Sequence, residues 1–355
     1  MSTKDEPLNA STALKDTLSG LKAQLKDVGV KWSAVRPLLP DWTEEAVQYR
    51  SGVIELEGFI ARHFGLRLSE GGGFERLLLP AARFKSRGGA DESSVRPARQ
   101  FATAVAGMVA RAMPARTGNG GPHGLSADAL RIHALSRSNE RGWIDLPALV
   151  ETAWSIGIPV IYLPDVPGKD RKPEGMVTLV GGTPVVVLMK KHVSPDWLLF
   201  VLAHELGHIE LEHLGTVEGA AVVDMKVDGD ESQSNEAHDS DEVAANLYAA
   251  QVLIQDGTPF TLKRWAKAEV LADEALRLGR EHRVSPGYIV LNAIWNIRSP
   301  DAKPWALATK ALGILNQRQQ SPTTSEVCLD AIRRHLDMDA LKFDTIEFLE
   351  KLKVI

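Results

Sequence analysis

The chain has 355 residues, a formal charge of −5, 44% hydrophobic and 25% charged residues, and one cysteine. A chain of this length ordinarily forms two or three domains and can bury a core without disulfide or metal staples. The single cysteine, Cys328, excludes a disulfide framework and a cysteine-rich zinc module. The N-terminus lacks the apolar segment of a signal peptide, and no apolar run approaches the ~18–20 residues of a membrane span. We therefore expect a soluble, cytoplasmic protein with no membrane partner.

Residues 1–70 have the pattern of an all-helical N-terminal region. Its first predicted helix has apolar residues three or four positions apart: Leu14, Leu18, Leu21, Leu25 and Val28. This spacing places them on one face of a helix. A second helix is predicted from Trp42 to about Phe64, ending at Gly65, because glycine commonly follows a helix C-terminus.

Residues 71–125 form a glycine-rich, basic segment with one predicted helix over Ala98–Met113. Between positions 76 and 116, eight basic residues outnumber Asp91 and Glu92: Arg76, Arg83, Lys85, Arg87, Arg96, Arg99, Arg111 and Arg116. Such a stretch is either a solvated face with salt bridges to an acidic neighbour or a surface that contacts phosphates. Contact with nucleic acid through residues 76–116 is therefore one of two open interpretations.

Residues 126–298 have a mixed pattern and form the predicted catalytic domain. Two β-branched runs, 176–180 and 185–189, flank Gly181 and Gly182, which predicts a hairpin. Pro184 suggests that one of these strands begins late or lies at an edge. A helix capped by Ser194 should run to His213, and the acidic stretch 216–240 is expected to be a mobile insertion. Helices resume at about Ser240, and residues 299–355 are predicted to be a helical C-terminal region.

The sequence His204-Glu205-Leu206-Gly207-His208 fits the pattern H-E-x-x-H within the predicted apolar helix. Histidines four positions apart lie on one helix face, so both imidazoles can reach one zinc ion. Glu205 is turned away from that face and can instead reach a water molecule beside the metal as general base. Burying two imidazoles and a carboxylate without partners would cost several kcal/mol, so a metal site is favoured over satisfied core histidines.

Catalytic zinc has three protein ligands and one open position, so a third ligand is needed. We favour Glu242, because it opens an apolar helix and Asn246, one turn later, could contact a ligand histidine. Asp241 is expected to cap that helix, and His213 is either a helix C-terminal cation or a contact for the substrate. His238 is expected in an exposed loop. Tyr248 is expected in the core, and Cys328 is expected to be an inert buried thiol rather than a ligand.

The segment from about Trp143 to Trp295 resembles the ImmA/IrrE family of zinc metallopeptidases. The resemblance rests on Gly175–Leu188, on the Leu-Ala-His-Glu-Leu-Gly-His run, on Glu242-Val-Ala-Ala-Asn-Leu-Tyr-Ala and on the segment after His282. It covers somewhat under half of the chain. It implies a gluzincin-like site with His204, His208 and Glu242 on zinc and Glu205 as base. Family members typically cleave a helix-turn-helix repressor and so derepress stress-response or mobile-element genes. The sequence departs from the family in its long acidic insertion and its N-terminal region.

The predicted fold is therefore α+β and mainly helical, with a small sheet packed on the H-E-x-x-H helix and helical regions at both termini. Four segments are expected: 1–70, 71–125, 126–298 and 299–355. We expect a zinc metalloendopeptidase acting on a protein substrate, and the strand 185–189 could pair with that substrate by edge addition. The alternative is a metal-containing regulator that binds a repressor or DNA without cleaving peptides.

Overall fold

The computed structural model describes residues 12–85, 92–114, 126–138, 140–167, 172–192, 194–225, 239–261, 267–297 and 304–355. Within these ranges the chain is a predominantly helical α+β protein, as predicted. The helices are α1 (Thr12–Asp27), α2 (Trp32–Val35), α3 (Thr43–Ala46), α4 (Arg50–His63), α5 (Glu92–Arg111), α6 (Ala127–Ser136), α7 (Leu146–Ser155), α8 (Pro195–Glu210), α9 (Asp239–Leu253), α10 (Ala268–His282), α11 (Pro286–Trp295), α12 (Trp305–Gln319), α13 (Thr324–His335) and α14 (Phe343–Lys351). The strands are β1 (Leu66–Leu68), β2 (Phe74–Arg76), β3 (Arg83–Lys85), β4 (Val160–Tyr162), β5 (Gly175–Val180), β6 (Thr183–Leu188) and β7 (Ala221–Asp224).

The N-terminal region is less regular than its sequence pattern predicts. The single helix predicted from Trp42 to Phe64 is divided into α3 and α4, because Tyr49 between them is extended (φ −125°, ψ 146°). Gly52 permits this fold-back, since a Cβ there would overlap the backbone carbonyl of Ala46. The antiparallel β1–β2 hairpin and strand β3 were not predicted; each of these strands is only three residues long.

A five-stranded sheet lies at the centre, in the order β3-β7-β5-β6-β4. The predicted hairpin joins β5 and β6, and Gly181 and Gly182 have positive φ values of 57° and 74°. Strand β5 also pairs antiparallel with β7. Strand β3 pairs in parallel with β7, and β4 pairs in parallel with β6.

Strand β6 is an interior strand, so the expectation that it offers an edge to an extended substrate is wrong. Val186, Val187 and Leu188 pair with β5 on one side and with β4 on the other. Pro184 is tolerated because the ladder to β4 begins only at Val186, so no bond to β4 is required of the proline nitrogen.

The acidic stretch 216–240 is not wholly a mobile insertion, which corrects the sequence expectation. Residues 221–224 form β7, and all four are buried between β3 and β5. The apolar run Ala221-Val222-Val223 enables this burial, although acidic residues dominate the longer stretch. Residues 226–238, which include the candidate His238, lie outside the described residues.

Helix α8 packs on β5 and β6 and also contacts α7, α9 and α11. The buried apolar residues form one cluster that extends from Leu21 to Val354, with α8 and the sheet among its most buried parts. The C-terminal helix belongs to this cluster, since Phe348 makes edge contacts with Phe59 and Phe64 of the N-terminal region. In the described part of the chain, no helix combines the length and apolar character needed to cross a membrane.

Candidate metal centre

Helix α8 carries the H-E-x-x-H motif in the interior of the protein. The side chain of Ser194 caps it, accepting a hydrogen bond from the amide of Asp196, and Pro195 occupies the first turn. His204, Glu205 and His208 are all fully buried. The Nε2 atoms of the two histidines are 3.0 Å apart and point to a common position.

Helix α9 packs closely on α8 and brings Glu242 to the two rings. A Cβ at Gly207 would lie 3.1 Å from Cδ1 of Tyr248 and 3.2 Å from the carbonyl oxygen of Ala245. Glycine at this position of the motif therefore allows the close approach of the two helices. The carboxylate of Glu242 lies 3.4 Å from His204 Nε2 and 3.3 Å from His208 Nε2.

A fourth donor, Asp224 at the end of β7, was missed by the sequence reasoning. Its Oδ2 lies 3.1 Å from His204 Nε2 and 3.6 Å from His208 Nε2, and the side chain is fully buried. The signal that could have found it is the apolar run just before it, which is typical of a short buried strand.

The four donors fit a single tetrahedral metal ion. His204, His208, Asp224 and Glu242 each offer a ligand atom within 4.8 Å of the others. The five donor separations given above range from 3.0 to 3.6 Å. Zinc bonds of about 2.0–2.1 Å in tetrahedral geometry require donor separations of about 3.3–3.4 Å. The residues present therefore match the size and chemistry of a zinc site.

The electrostatics of the centre favour a positive charge among these donors. Burial lowers the pKa of His208, but Asp224 and Glu242 outweigh it and raise that pKa to about 9. Burial and the charge of Asp224 raise the pKa of Glu242, while hydrogen bonds to His204 and His208 lower it to about 2. Burial also opposes ionisation of Asp224, yet the two imidazoles hold its pKa well below the usual value. Two carboxylates that stay ionised in the interior would neutralise a divalent cation.

Glu205 lies beside this donor set but is not part of it. Its side chain is fully buried against β5, where a Cβ on Gly175 would overlap Glu205 Oε1 and lie 2.7 Å from Val201 Cγ1. Gly175 therefore provides the space for this carboxylate.

His213 contacts the outer face of a metal-site histidine. Its Nδ1 is 2.9 Å from Nδ1 of His208, and its Nε2 is 3.6 Å from Asp241. Arg83 of β3 in turn donates a hydrogen bond of 3.1 Å to Asp241. Burial, followed by the charge of His208, lowers the pKa of His213, which favours a neutral ring that can accept a hydrogen bond from His208 Nδ1. His213 is thus not a donor of the set, and Asp241 lies in the first turn of α9 as an ion-pair partner.

Replacing His213 with alanine should weaken zinc binding about tenfold, because the ring of His208 would lose the contact that orients it. The measurement is zinc competition against a chromophoric chelator. His213→Gln, whose amide oxygen can accept from His208, should recover part of the affinity, and His133→Ala at an exposed site should behave as wild type. Unchanged affinity in His213→Ala would contradict the orienting role.

The remaining sequence candidates do not join the donor set. Tyr248 is buried in the core, as predicted, and Cys328 is buried on α13, where burial raises its pKa to about 12. Asn246 Oδ1 and His204 Nδ1 are each buried without a hydrogen-bond partner among the described residues, so the contact expected of Asn246 is not formed.

The basic stretch is partly used inside the fold. Arg76 bonds Gln100, and the buried Arg99 donates to the carbonyl oxygens of Pro80 and Gly219. Arg96 and Arg111 are exposed. Arg87, Arg116 and the side chain of Lys85 lie outside what the structure describes.

Comparison with known proteins identifies the domain that contains this centre. Residues 154–292 match a family model described as the IrrE N-terminal-like domain of the M78 peptidases. The match spans β5, β6, α8, β7 and α9, and therefore all four donors. No curated protein and no solved structure gave a significant match to the chain. Residues 154–292 thus match the IrrE N-terminal-like domain of the M78 peptidases, in agreement with the ImmA/IrrE resemblance.

Proposed function

We propose that this protein is a zinc-dependent endopeptidase that cleaves a specific protein partner. The observation that carries the proposal is the convergence of His204, His208 and Glu242 on one position, with Glu205 buried beside them. Two imidazoles and a carboxylate at tetrahedral spacing suit zinc better than calcium or magnesium, which prefer all-oxygen sites. The match of residues 154–292 to a peptidase family model supports hydrolysis as the reaction.

In this mechanism His204, His208 and Glu242 would hold the metal. The chemistry supplied by zinc is Lewis acidity, which makes a water molecule more acidic and polarises the peptide carbonyl. Glu205 removes the proton from the attacking water and passes it to the leaving amine.

The expected substrate is a DNA-binding repressor of the helix-turn-helix class, whose cleavage would derepress stress-response or mobile-element genes. This part of the proposal rests on the ImmA/IrrE resemblance. Contact with nucleic acid through residues 76–116 is a weaker proposal, since Arg76, Arg83 and Arg99 already have protein partners.

The test is to incubate the full-length protein and Zn²⁺ with the repressor encoded beside its gene, with and without single-stranded DNA. Intact-mass spectrometry should find defined fragments that disappear with a chelator. A tight complex in which both chains stay intact, with the wild type and with Asp224→Ala alike, would overturn the endopeptidase proposal.

That complex would support the second candidate, a metal-containing regulator that does not cleave peptides. One observation favours it: four protein donors surround the metal position, and closed four-ligand zinc sites are typically structural.

A further inference from the structure

Strand β7 lies next to β5, on the side of β5 that borders the metal centre. It pairs antiparallel with β5 from Gly175↔Asp224 to Thr178↔Ala221. Gly175 is the residue whose missing side chain makes room for Glu205. The edge of β5 beside the proposed base is therefore covered by β7.

A protease of this kind needs an extended substrate beside its base and metal, and strand addition to a sheet edge is a common way to hold one. Strand β6 is paired on both sides, so it offers no edge in the described structure. The edge of β5 has the right location, but Ala221–Asp224 already fills it. The protein's own chain thus lies where a substrate strand would lie.

The carboxylate of Asp224 faces the metal side of both rings. It approaches Nε2 of His204 and of His208, the same atoms that face Glu242. A carboxylate that merely oriented a ligand histidine would instead contact Nδ1, as His213 does for His208. Asp224 therefore takes the position that a catalytic site leaves open to water and substrate.

We propose that β7 is an internal substrate mimic and that Asp224 is a fourth protein ligand, so that this conformation is a latent form of the enzyme. Activation requires β7 to leave β5 and Asp224 to leave the metal position. The regulatory half of this proposal rests on the proposed peptidase function, whereas the coordination half does not.

Elements of the segment 71–125 contact β7 and the chain just before it. Strand β3 pairs in parallel with β7, and Arg99 of α5 donates a 3.0 Å hydrogen bond to the carbonyl oxygen of Gly219, just before β7. Arg83 of β3 also binds Asp241, at the start of the helix that carries Glu242. A displacement of β3 or of α5 would therefore reach the metal centre through β7.

The first experiment measures coordination, with no peptide substrate. Full-length wild type, Asp224→Ala and Asp224→Asn are loaded with Co²⁺, and their visible spectra are recorded during titration with acetohydroxamate. Wild type should resist the probe, while Asp224→Ala should bind it at least about tenfold more tightly and should hold zinc about tenfold less tightly. Asp224→Asn keeps the shape of the side chain but removes its charge. Its affinities for acetohydroxamate and for zinc should lie between those of wild type and those of Asp224→Ala. It also provides the test if the alanine variant fails to fold, which circular dichroism would reveal.

Asp196→Asn is the matched control, because Asp196 is also a buried aspartate but lies at the far end of α8 from the motif. It should keep the wild-type spectrum and the wild-type response to acetohydroxamate. If wild type and Asp224→Ala bind acetohydroxamate equally well, or bind zinc equally well, the assignment of Asp224 as a fourth ligand is overturned.

A second readout separates this proposal from the proposed function. Faster cleavage of the repressor by Asp224→Ala than by wild type would support both the latent form and the peptidase. If Asp224→Ala binds acetohydroxamate but cleaves no protein, the fourth ligand is upheld and the peptidase proposal fails. If wild type cleaves as fast as Asp224→Ala, the latent form is overturned while the peptidase stands.

Discussion

Replacing Glu205 with glutamine is expected to slow peptide cleavage by a factor of about 100 to 10,000, the usual contribution of a general base. Glutamine has the same shape and fits the space beside Gly175, but it cannot take a proton from water. Since Glu205 is outside the donor set, zinc affinity should stay at the wild-type level. Initial rates from mass spectrometry and metal content from elemental analysis measure the two effects.

This comparison should be made in the wild-type and Asp224→Ala backgrounds, so that a latent wild type cannot hide the effect. Glu210→Gln, at the C-terminal end of the same helix, is the matched control and should retain the parent rate. Cleavage by Glu205→Gln at the rate of its parent would show that another group acts as base.

The parts of the site that could be predicted from sequence depend on local pattern. His204, Glu205 and His208 lie within one helix, and their relation follows from the 3.6-residue period. The β5–β6 hairpin is likewise a local unit, indicated by Gly181 and Gly182 between two apolar runs. Glu242 was selected by its own helix pattern, and the structure places its carboxylate 3.4 Å or less from both rings.

The apolar run before Asp224 can indicate a short strand, but it does not place the carboxylate at the metal centre, because that position depends on pairing between distant segments. Strand β7 is four residues long and pairs with β5, about 45 positions earlier, and with β3, which is about 140 positions earlier. Short strands carry little periodic signal, and the surrounding acidic composition indicated an exposed loop.

The role of the basic stretch 76–116 also depends on tertiary contacts that the sequence does not give. Composition counts Arg83 and Arg99 as parts of a positive surface, yet one is paired with Asp241 and the other is buried against backbone carbonyls. Which partner faces a charge is a property of the tertiary fold, so charge counts alone cannot separate a nucleic-acid surface from an internal restraint.

Removing the metal should lower the thermal unfolding midpoint of the full-length protein. A ligand at a thousand times its dissociation constant stabilises the folded state by about 4 kcal/mol. For a domain of this size, that corresponds to a shift on the order of 8 °C. Differential scanning calorimetry with and without a chelator measures this shift in unfolding midpoint. In His208→Ala, which lacks a metal ligand, the chelator should cause almost no shift. The exposed His133→Ala should keep it.

The difference in unfolding midpoint between the metal-bound and the metal-free protein should grow as the pH rises from about 6.5 to about 9. Without metal, a protonated His208 partly compensates the charges of Asp224 and Glu242, which raise its pKa to about 9 in the folded protein. A folded-state pKa above the unfolded value of about 6.5 stabilises the metal-free protein fully below pH 6.5, and this stabilisation is lost as the pH rises through 9. Metal binding is favoured over the same range, because the ligand imidazoles must be deprotonated. If the metal-dependent shift in unfolding midpoint stays constant or shrinks over this pH range, Asp224 and Glu242 do not raise the pKa of His208 in the metal-free protein.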